Sequence, residues 1–160
     1  MGHYLTAVVC ENGHVLTDAL EKGPEHNAPF CPQCGARTIS QCHHCNAPIR
    51  GAYDVPGAVV FLDELEPPKY CRKCGKPFPW TAAGLEAARE LIKTADGLDD
   101  NERAALANSV DDLVADTPRT PTAVQKARVL VGKMAKPAQD AFSKIITSLA
   151  TEAVKKALGL

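Results

Sequence analysis

The spacing of apolar residues changes near the middle of the chain. After residue 80, apolar side chains recur every three or four positions, which is the period of an amphipathic helix. Cap and breaker residues divide this half into four predicted helices, at about 81–95, 99–115, 121–135 and 137–158. Before residue 80, apolar runs are short and lie between Gly, Pro and Asn, which is typical of strands joined by turns. The pattern therefore predicts two domains, residues 1–80 and 81–160.

The first half contains four segments with the composition of short strands. They are residues 4–9, 38–39, 49–55 and 58–65, with Pro56-Gly57 as turn chemistry between the last two. None of them is long enough to bury much apolar surface. We therefore expect this half to depend on bound metal for its folding free energy.

Residues at the predicted helix ends match known capping patterns. Thr81 is the predicted N-cap of the first helix, and Asp99 with Glu102 resembles a capping box for the second. Thr120 is predicted to cap the third helix, with Pro121 in its first turn. The last helix has the widest apolar stripe, which we expect to be covered by other helices or by a second copy of the chain. Its candidate interface residues are Phe142, Ile145, Ile146, Leu149 and Val154.

Cysteine spacing adds a chemical interpretation to the first half. Six of the seven cysteines form three Cys-x-x-Cys pairs, and His14 follows the remaining Cys10 after three residues. Seven thiols and one imidazole are eight ligands, enough for two tetrahedral Zn²⁺ sites. Gly follows Cys34 and Cys74, where such a turn needs a residue that tolerates positive φ. Cysteines at this spacing favour metal over disulfides and indicate a reducing compartment, the cytoplasm.

The eight ligands can be paired in three ways. The two central pairs could share one metal, or the half-sites could cross as in a RING domain. Residues 35–41 read as an extended segment, however, and at about 3.3 Å per residue they would hold the two central pairs apart. The spacings also differ from the RING order. The third possibility is that half-sites adjacent in sequence share a metal. Site 1 then consists of Cys10, His14, Cys31 and Cys34, and site 2 of Cys42, Cys45, Cys71 and Cys74.

This arrangement predicts two sequential zinc ribbons, a small zinc-stabilised β module, followed by an all-α region, so that the fold class is α+β overall. Closed sites of this kind are structural, because no coordination position remains for water. An enzyme with an open first site would require His14 not to be a ligand, with water or Asp18 in its place. The sequence contains no zinc-protease helix motif, no phosphate-binding glycine loop and no nucleophile elbow. A Cys-x-x-Cys turn that holds zinc is called a knuckle. His43 and His44 lie between the two cysteines of the second such turn, and their side chains are expected to point outward.

Charge restricts the candidate partners. Residues 1–80 contain seven Lys and Arg against eight Asp and Glu, and zinc-bound thiolates would add negative charge, which disfavours nucleic acid. Arg72, Lys73 and Lys76 cluster at the last knuckle and keep a nucleic-acid contact as an alternative. Residues 81–116 have a balance of −6 and residues 117–160 one of +6. Either the helices pack with complementary faces, or the basic ones meet a partner or an anionic membrane surface. No apolar run is long enough to span a bilayer.

Four motifs together resemble a known family. CENGH, FCPQCG, CHHCNAPIRG and YCRKCGKPFPW are similar to those of uncharacterised bacterial double-zinc-ribbon proteins, a domain of unknown function, over roughly residues 4–95. The resemblance implies two Zn²⁺ and a bacterial cytoplasmic setting, and it assigns no catalytic residue. We therefore expect a non-enzymatic interaction or assembly module whose helices dock an unknown protein or a second copy. A nucleic-acid-associated ribbon protein is the alternative.

Overall fold

The structure, a computed structural model, describes residues 1–57 and 65–160. Over these ranges, short strands and two clusters of metal-ligating side chains precede five helices, which confirms the predicted α+β class. The chain divides into two compact units, Met1–Ala82 and Ala83–Leu160. Each unit has a hydrophobic core of its own.

The strands in the described residues are β1 His3–Thr6, β2 Val8–Cys10, β3 Val15–Thr17, β4 Thr38–Ile39 and β5 Arg50–Asp54. They form two small antiparallel sheets, one with the order β1-β5 and the other with the order β3-β2-β4. The strand predicted at residues 38–39 is confirmed as β4. The strand predicted at residues 58–65 falls almost entirely on residues 58–64, which lie outside the described residues.

The segment predicted as one strand at residues 4–9 is divided into β1 and β2, which belong to different sheets and so connect the two predicted ribbons. Only Ala7 separates β1 from β2, yet β1 pairs with β5 while β2 pairs with β3 and β4. At the junction, the Ala7 backbone N–H donates to the Ile49 carbonyl over 2.9 Å. Gly51 lies so close to the chain that an added Cβ would stand 2.0 Å from the Asp18 carbonyl oxygen. The ligands of the two predicted ribbons follow one another in sequence, and backbone pairing joins the ribbons within one compact unit.

The first unit also has an apolar cluster around the Phe78 and Trp80 side chains. Their rings stack with centroids 4.8 Å apart, and the indole N–H of Trp80 donates to the Pro68 carbonyl over 3.0 Å. A buried large apolar side chain contributes roughly 1.5–3 kcal/mol. Metal is therefore not the sole source of stability in this unit. The buried members of the cluster are Ala7, Val9, Cys42, Ala47, Ile49, Cys71, Phe78 and Trp80.

The second unit is built from helices, the first of which begins in the first unit. The helices are α1 Pro79–Thr94, α2 Asp100–Val114, α3 Thr120–Val131, α4 Lys136–Leu149 and α5 Glu152–Leu158.

Two of the predicted helix caps need correction. Helix α1 begins at Pro79, two residues before Thr81, whose buried hydroxyl has no hydrogen-bond partner among the described residues. Thr120 does not cap α3, because its hydroxyl donates to the Ala115 carbonyl and accepts from the Thr117 N–H. The Asp99–Glu102 capping box is confirmed.

The predicted single helix at 137–158 is wrong, because the chain breaks it at Ala150. Ala150 is extended, with φ −77° and ψ 160°, and Thr151 caps a new helix by accepting from the Val154 N–H over 3.4 Å. Residues of both helices still enter one core, so the apolar period continues across the break.

The apolar stripe of α4 and α5 lies inside the core of the second unit. Phe142, Ile146, Leu149 and Val154 are buried, and Ile145 packs against them. The helices of the same chain therefore cover the candidate interface residues without a second copy. In the described part of the chain, no helix combines the length and the apolar character needed to cross a bilayer.

Candidate metal centres

The three Cys-x-x-Cys pairs adopt the same turn. In each, the N–H of the first cysteine donates over 2.8 Å to the carbonyl two residues beyond the second cysteine. The residue directly after the second cysteine donates back to the carbonyl of the first over 2.8–2.9 Å. Two reciprocal bonds hold each turn closed and direct both thiols to one side. The bonds run from Cys31, Cys42 and Cys71 to Ala36, Ala47 and Lys76, and from Gly35, Asn46 and Gly75 to Cys31, Cys42 and Cys71.

The residue after each pair has a left-handed backbone. The φ angles are 72° at Gly35, 55° at Asn46 and 70° at Gly75. Asn is among the few L residues that visit this region readily, since its short polar side chain can bond locally. Asn46 thus has the same conformational role in the second turn as Gly35 and Gly75 have in the other two. This role can be recognised in the sequence only when the three turns are aligned.

The fourth half-site is the turn between β2 and β3. The Cys10 N–H donates to the His14 carbonyl over 2.9 Å, and the Gly13 N–H donates to the Cys10 carbonyl over 2.8 Å. The His14 N–H donates to the Cys10 sulfur over 3.2 Å. This turn places the thiol and the imidazole side by side.

The ligand atoms of Cys10, His14, Cys31 and Cys34 lie within 4.8 Å of one another. His14 Nδ1 is 3.5 Å from Cys10 Sγ and 3.6 Å from Cys31 Sγ, and the sulfurs of Cys10 and Cys34 are 3.8 Å apart. A tetrahedral Zn²⁺ with its usual bond lengths requires sulfur–sulfur edges of about 3.8 Å and sulfur–nitrogen edges of about 3.6 Å. The measured separations therefore fit a zinc ion. The Asn12 side-chain amide, which sequence spacing does not single out, donates to Cys34 Sγ over 3.4 Å.

The thiols of Cys42, Cys45, Cys71 and Cys74 form the second cluster, also within 4.8 Å. Two sulfur–sulfur distances, Cys42 to Cys74 and Cys45 to Cys71, are 3.7 and 3.6 Å. They match the tetrahedral edge of about 3.8 Å for four thiolates. The Lys73 N–H donates to Cys71 Sγ over 3.4 Å, so the backbone adds positive charge density at a ligand atom.

The thiols of each cluster are electrostatically unlike one another. The backbone N–H of Ala36 and then the Asn12 amide lower the pKa of Cys34 to about 6. The N–H groups of Cys74 and Lys73 lower the pKa of Cys71 to about 6.

Two other thiols resist ionisation. Burial raises the pKa of Cys10. The Ala47 N–H lowers the pKa of Cys45, but burial and the adjacent cysteines outweigh it and raise that pKa to about 12. Thiolates this close repel one another, and a divalent cation is the group that removes this repulsion.

The remaining candidates lie outside both clusters. His43 and His44 are exposed, and neither they nor Asp18 belongs to a group of ligand atoms in the described residues. The cations of the last knuckle, Arg72, Lys73 and Lys76, are exposed at the surface of the first unit.

Comparison with known proteins gives a family but no activity. The chain matches no curated protein and no solved structure. A model of a family of uncharacterised proteins conserved in bacteria, DUF2321, matches residues 3–158, which includes the helices that the motif resemblance did not cover. The chain belongs to this bacterial family.

Proposed function

We propose that the two clusters each bind one Zn²⁺ and that the protein is a non-enzymatic interaction or assembly module. The observation behind this proposal is the agreement between the sulfur–sulfur and sulfur–nitrogen separations and the edges of a zinc tetrahedron. Three thiols with one imidazole, and four thiols, are common donor sets of structural zinc. The thiols require reducing surroundings, which favours the bacterial cytoplasm.

The proposed role of the metal is structural. Four protein ligands complete a tetrahedron, so no position remains at which water could be activated. Zinc would offset two of the negative charges of the crowded thiolates in each centre, while the backbone N–H groups of His14 and Lys73 already stabilise ligand sulfurs. The first metal would then fix the first knuckle to the β2–β3 turn, and the second metal would fix the other two knuckles to each other.

The helical unit is the proposed docking region, and its surface suggests an electrostatic contact. Its apolar stripe is covered, and some of its cations are used within the unit: Lys133 pairs with Glu102 and Arg119 with Asp112. This agrees with complementary packing of acidic and basic helices. Within the described residues, four cations of the basic helices have no ion pair: Lys126, Arg128, Lys144 and Lys156. A partner with an acidic surface fits these helices.

Nucleic-acid association is the second candidate, and one observation favours it. Arg72, Lys73 and Lys76 are exposed on one knuckle and form no ion pair in the part of the chain that the structure describes. Binding to random DNA or RNA that weakens steeply with salt, and that is lost on replacing all three with Ala, would support it.

The zinc proposal and the pairing of ligands can be tested together by metal analysis. We expect two zinc ions per purified chain and no iron. The double variant Cys10→Ser with Cys31→Ser removes ligands from one centre, so it should retain one zinc. The matched variant Cys31→Ser with Cys42→Ser damages both centres, so it should retain less than the first. Equal zinc in the two variants, or one zinc in the unaltered protein, would refute the pairing.

A further inference from the structure

The two centres differ in how the first unit surrounds them. Cys42 and Cys71 of the second centre are buried members of the cluster around Phe78 and Trp80, and Cys45 packs against it. None of the four ligands of the first centre belongs to that cluster in the described residues. Loss of the second metal would thus disturb the core, whereas loss of the first would disturb mainly the turns that hold it.

Solvent reaches the first centre through a surface pocket. His14 is half-buried and lines a cavity of about 310 Å³ together with Cys31, Glu25 and His26. Each centre has one exposed cysteine, Cys34 in the first and Cys74 in the second, so the difference between them lies at the half-buried imidazole of His14. A chelator or a competing ion can therefore approach the imidazole without displacing a buried apolar side chain.

Ligand chemistry adds to this difference. With Zn²⁺, three thiolates and a neutral imidazole give a net charge of about −1, and four thiolates give about −2. When the imidazole leaves the metal, no opposite charges are separated. When a thiolate leaves, opposite charges must be pulled apart, which is costly among apolar side chains. His14 is therefore the ligand whose departure from its metal costs least.

We propose that the first centre is an exchangeable zinc site and that the second centre retains its metal, so that the chain has a folded one-zinc state. This inference rests on the proposed binding of two zinc ions. In the one-zinc state, the second centre, the core around Phe78 and Trp80 and the β1–β5 pairing hold the unit together. The β2–β3 turn and the first knuckle then lose their metal bridge and stay joined by the β2–β4 pairing and the bond from the Glu11 N–H to the Arg37 carbonyl, which makes this lobe responsive to available zinc.

The test follows zinc loss from the unaltered two-zinc protein. The protein is mixed with a chromogenic chelator, sampled for native mass spectrometry and alkylated with N-ethylmaleimide. We expect one-zinc protein to accumulate, because the first ion should leave at least about ten-fold faster than the second, a barrier difference of about 1.4 kcal/mol. In that species, the first alkylated thiols should be Cys10, Cys31 and Cys34, with Cys42, Cys45, Cys71 and Cys74 protected.

Two variants distinguish the effect of the His14 ligand on zinc release from a general loss of stability in the first unit. His14→Cys supplies a fourth thiolate and should slow release from the first centre. His43→Ala, at an exposed position within the second knuckle, should leave both release rates unchanged. If His14→Cys does not fold, the alkylation pattern of the unaltered protein still decides the matter.

The outcomes are distinguishable. Loss of both ions at one rate, or earlier alkylation of the second centre in a protein that began with two zinc ions, would overturn the exchangeable site and leave zinc binding intact. A starting protein without zinc would refute the proposed function itself.

Discussion

At the scale of single residues, the metal-binding turns depend on one backbone conformation as much as on their thiols. Gly35, Asn46 and Gly75 have positive φ at equivalent positions. An added Cβ at Gly35 or Gly75 would meet no atom within 4 Å, so a larger residue would be opposed by backbone strain and not by a clash. The strain of an L residue in this region is roughly 1–2 kcal/mol.

We therefore predict that Gly75→Ala lowers the free energy of unfolding of the zinc-loaded protein by about 1 kcal/mol. Asn46→Gly, the matched change at the equivalent position, should have no destabilising effect because glycine adopts this conformation freely. Denaturant titration of both variants measures the difference. Equal stability of Gly75→Ala and the unaltered protein would show that the turn can relax to negative φ.

The two clusters of candidate ligands could be predicted from sequence, because Cys-x-x-Cys spacing and the position of His14 reflect local turn geometry. Asn12 could not. Its amide reaches Cys34, 22 residues further along the chain, only after two turns have come together. Spacing within one segment contains no information on such a contact.

At the scale of elements, helical periodicity located the apolar stripe but not the division of the last helix. Ala150 and Thr151 do not interrupt the apolar period, and Val154 enters the same core as Leu149. The break depends on a side-chain cap at Thr151. A periodic pattern that continues through a capped break cannot be told from a single helix.

The stripe of α4 gives a prediction for this element. Ile146 is fully buried, so Ile146→Asp would place a carboxylate among apolar side chains at a cost of several kcal/mol and should unfold the second unit. Val129→Asp is the control, since Val129 is 63% exposed. Circular dichroism should show lower thermal stability of helix in the first variant only. Unchanged melting of Ile146→Asp would mean that α4 is not packed on the core.

At the scale of the whole molecule, the two units draw on different sources of stability. The core of the second unit consists of residues from the helices and the segments that join them, without any metal ligand. The first unit combines two candidate metal centres with a small apolar cluster, and Cys42 and Cys71 belong both to this cluster and to the second centre.

We predict that exhaustive removal of metal unfolds the first unit and leaves most of the helical signal of the second. The proposed zinc binding would supply folding free energy to the first unit, whereas the core of the second unit contains no metal ligand. Far-ultraviolet circular dichroism before and after chelation measures the retained helix, and restoring zinc is the control for reversibility. Loss of the entire helical signal would show that the two units unfold as one.

The β1–β5 pairing that joins the two ribbons could not be predicted from the sequence. Strand patterns identify segments, whereas the pairing of β1 with β5 joins positions His3 and Asp54 through a register that no local signal specifies. The apolar cluster around Phe78 and Trp80 also includes Cys42 and Cys71. Their spacing predicts a role as metal ligands, but it does not indicate that they are part of an apolar core.

The pairing of β1 with β5 also has a consequence for synthesis on the ribosome. Translation proceeds at about 5–20 residues per second from the N-terminus, so β1 emerges seconds before Asp54 exists. The sheet β3-β2-β4 is complete once Ile39 has emerged, and the ligands of the first centre precede that residue. β1 must wait unpaired beside this sheet. The nascent chain therefore exposes all four ligands of its first candidate metal centre before its N-terminal edge is protected, and closure of the first unit follows only when β5 leaves the exit tunnel.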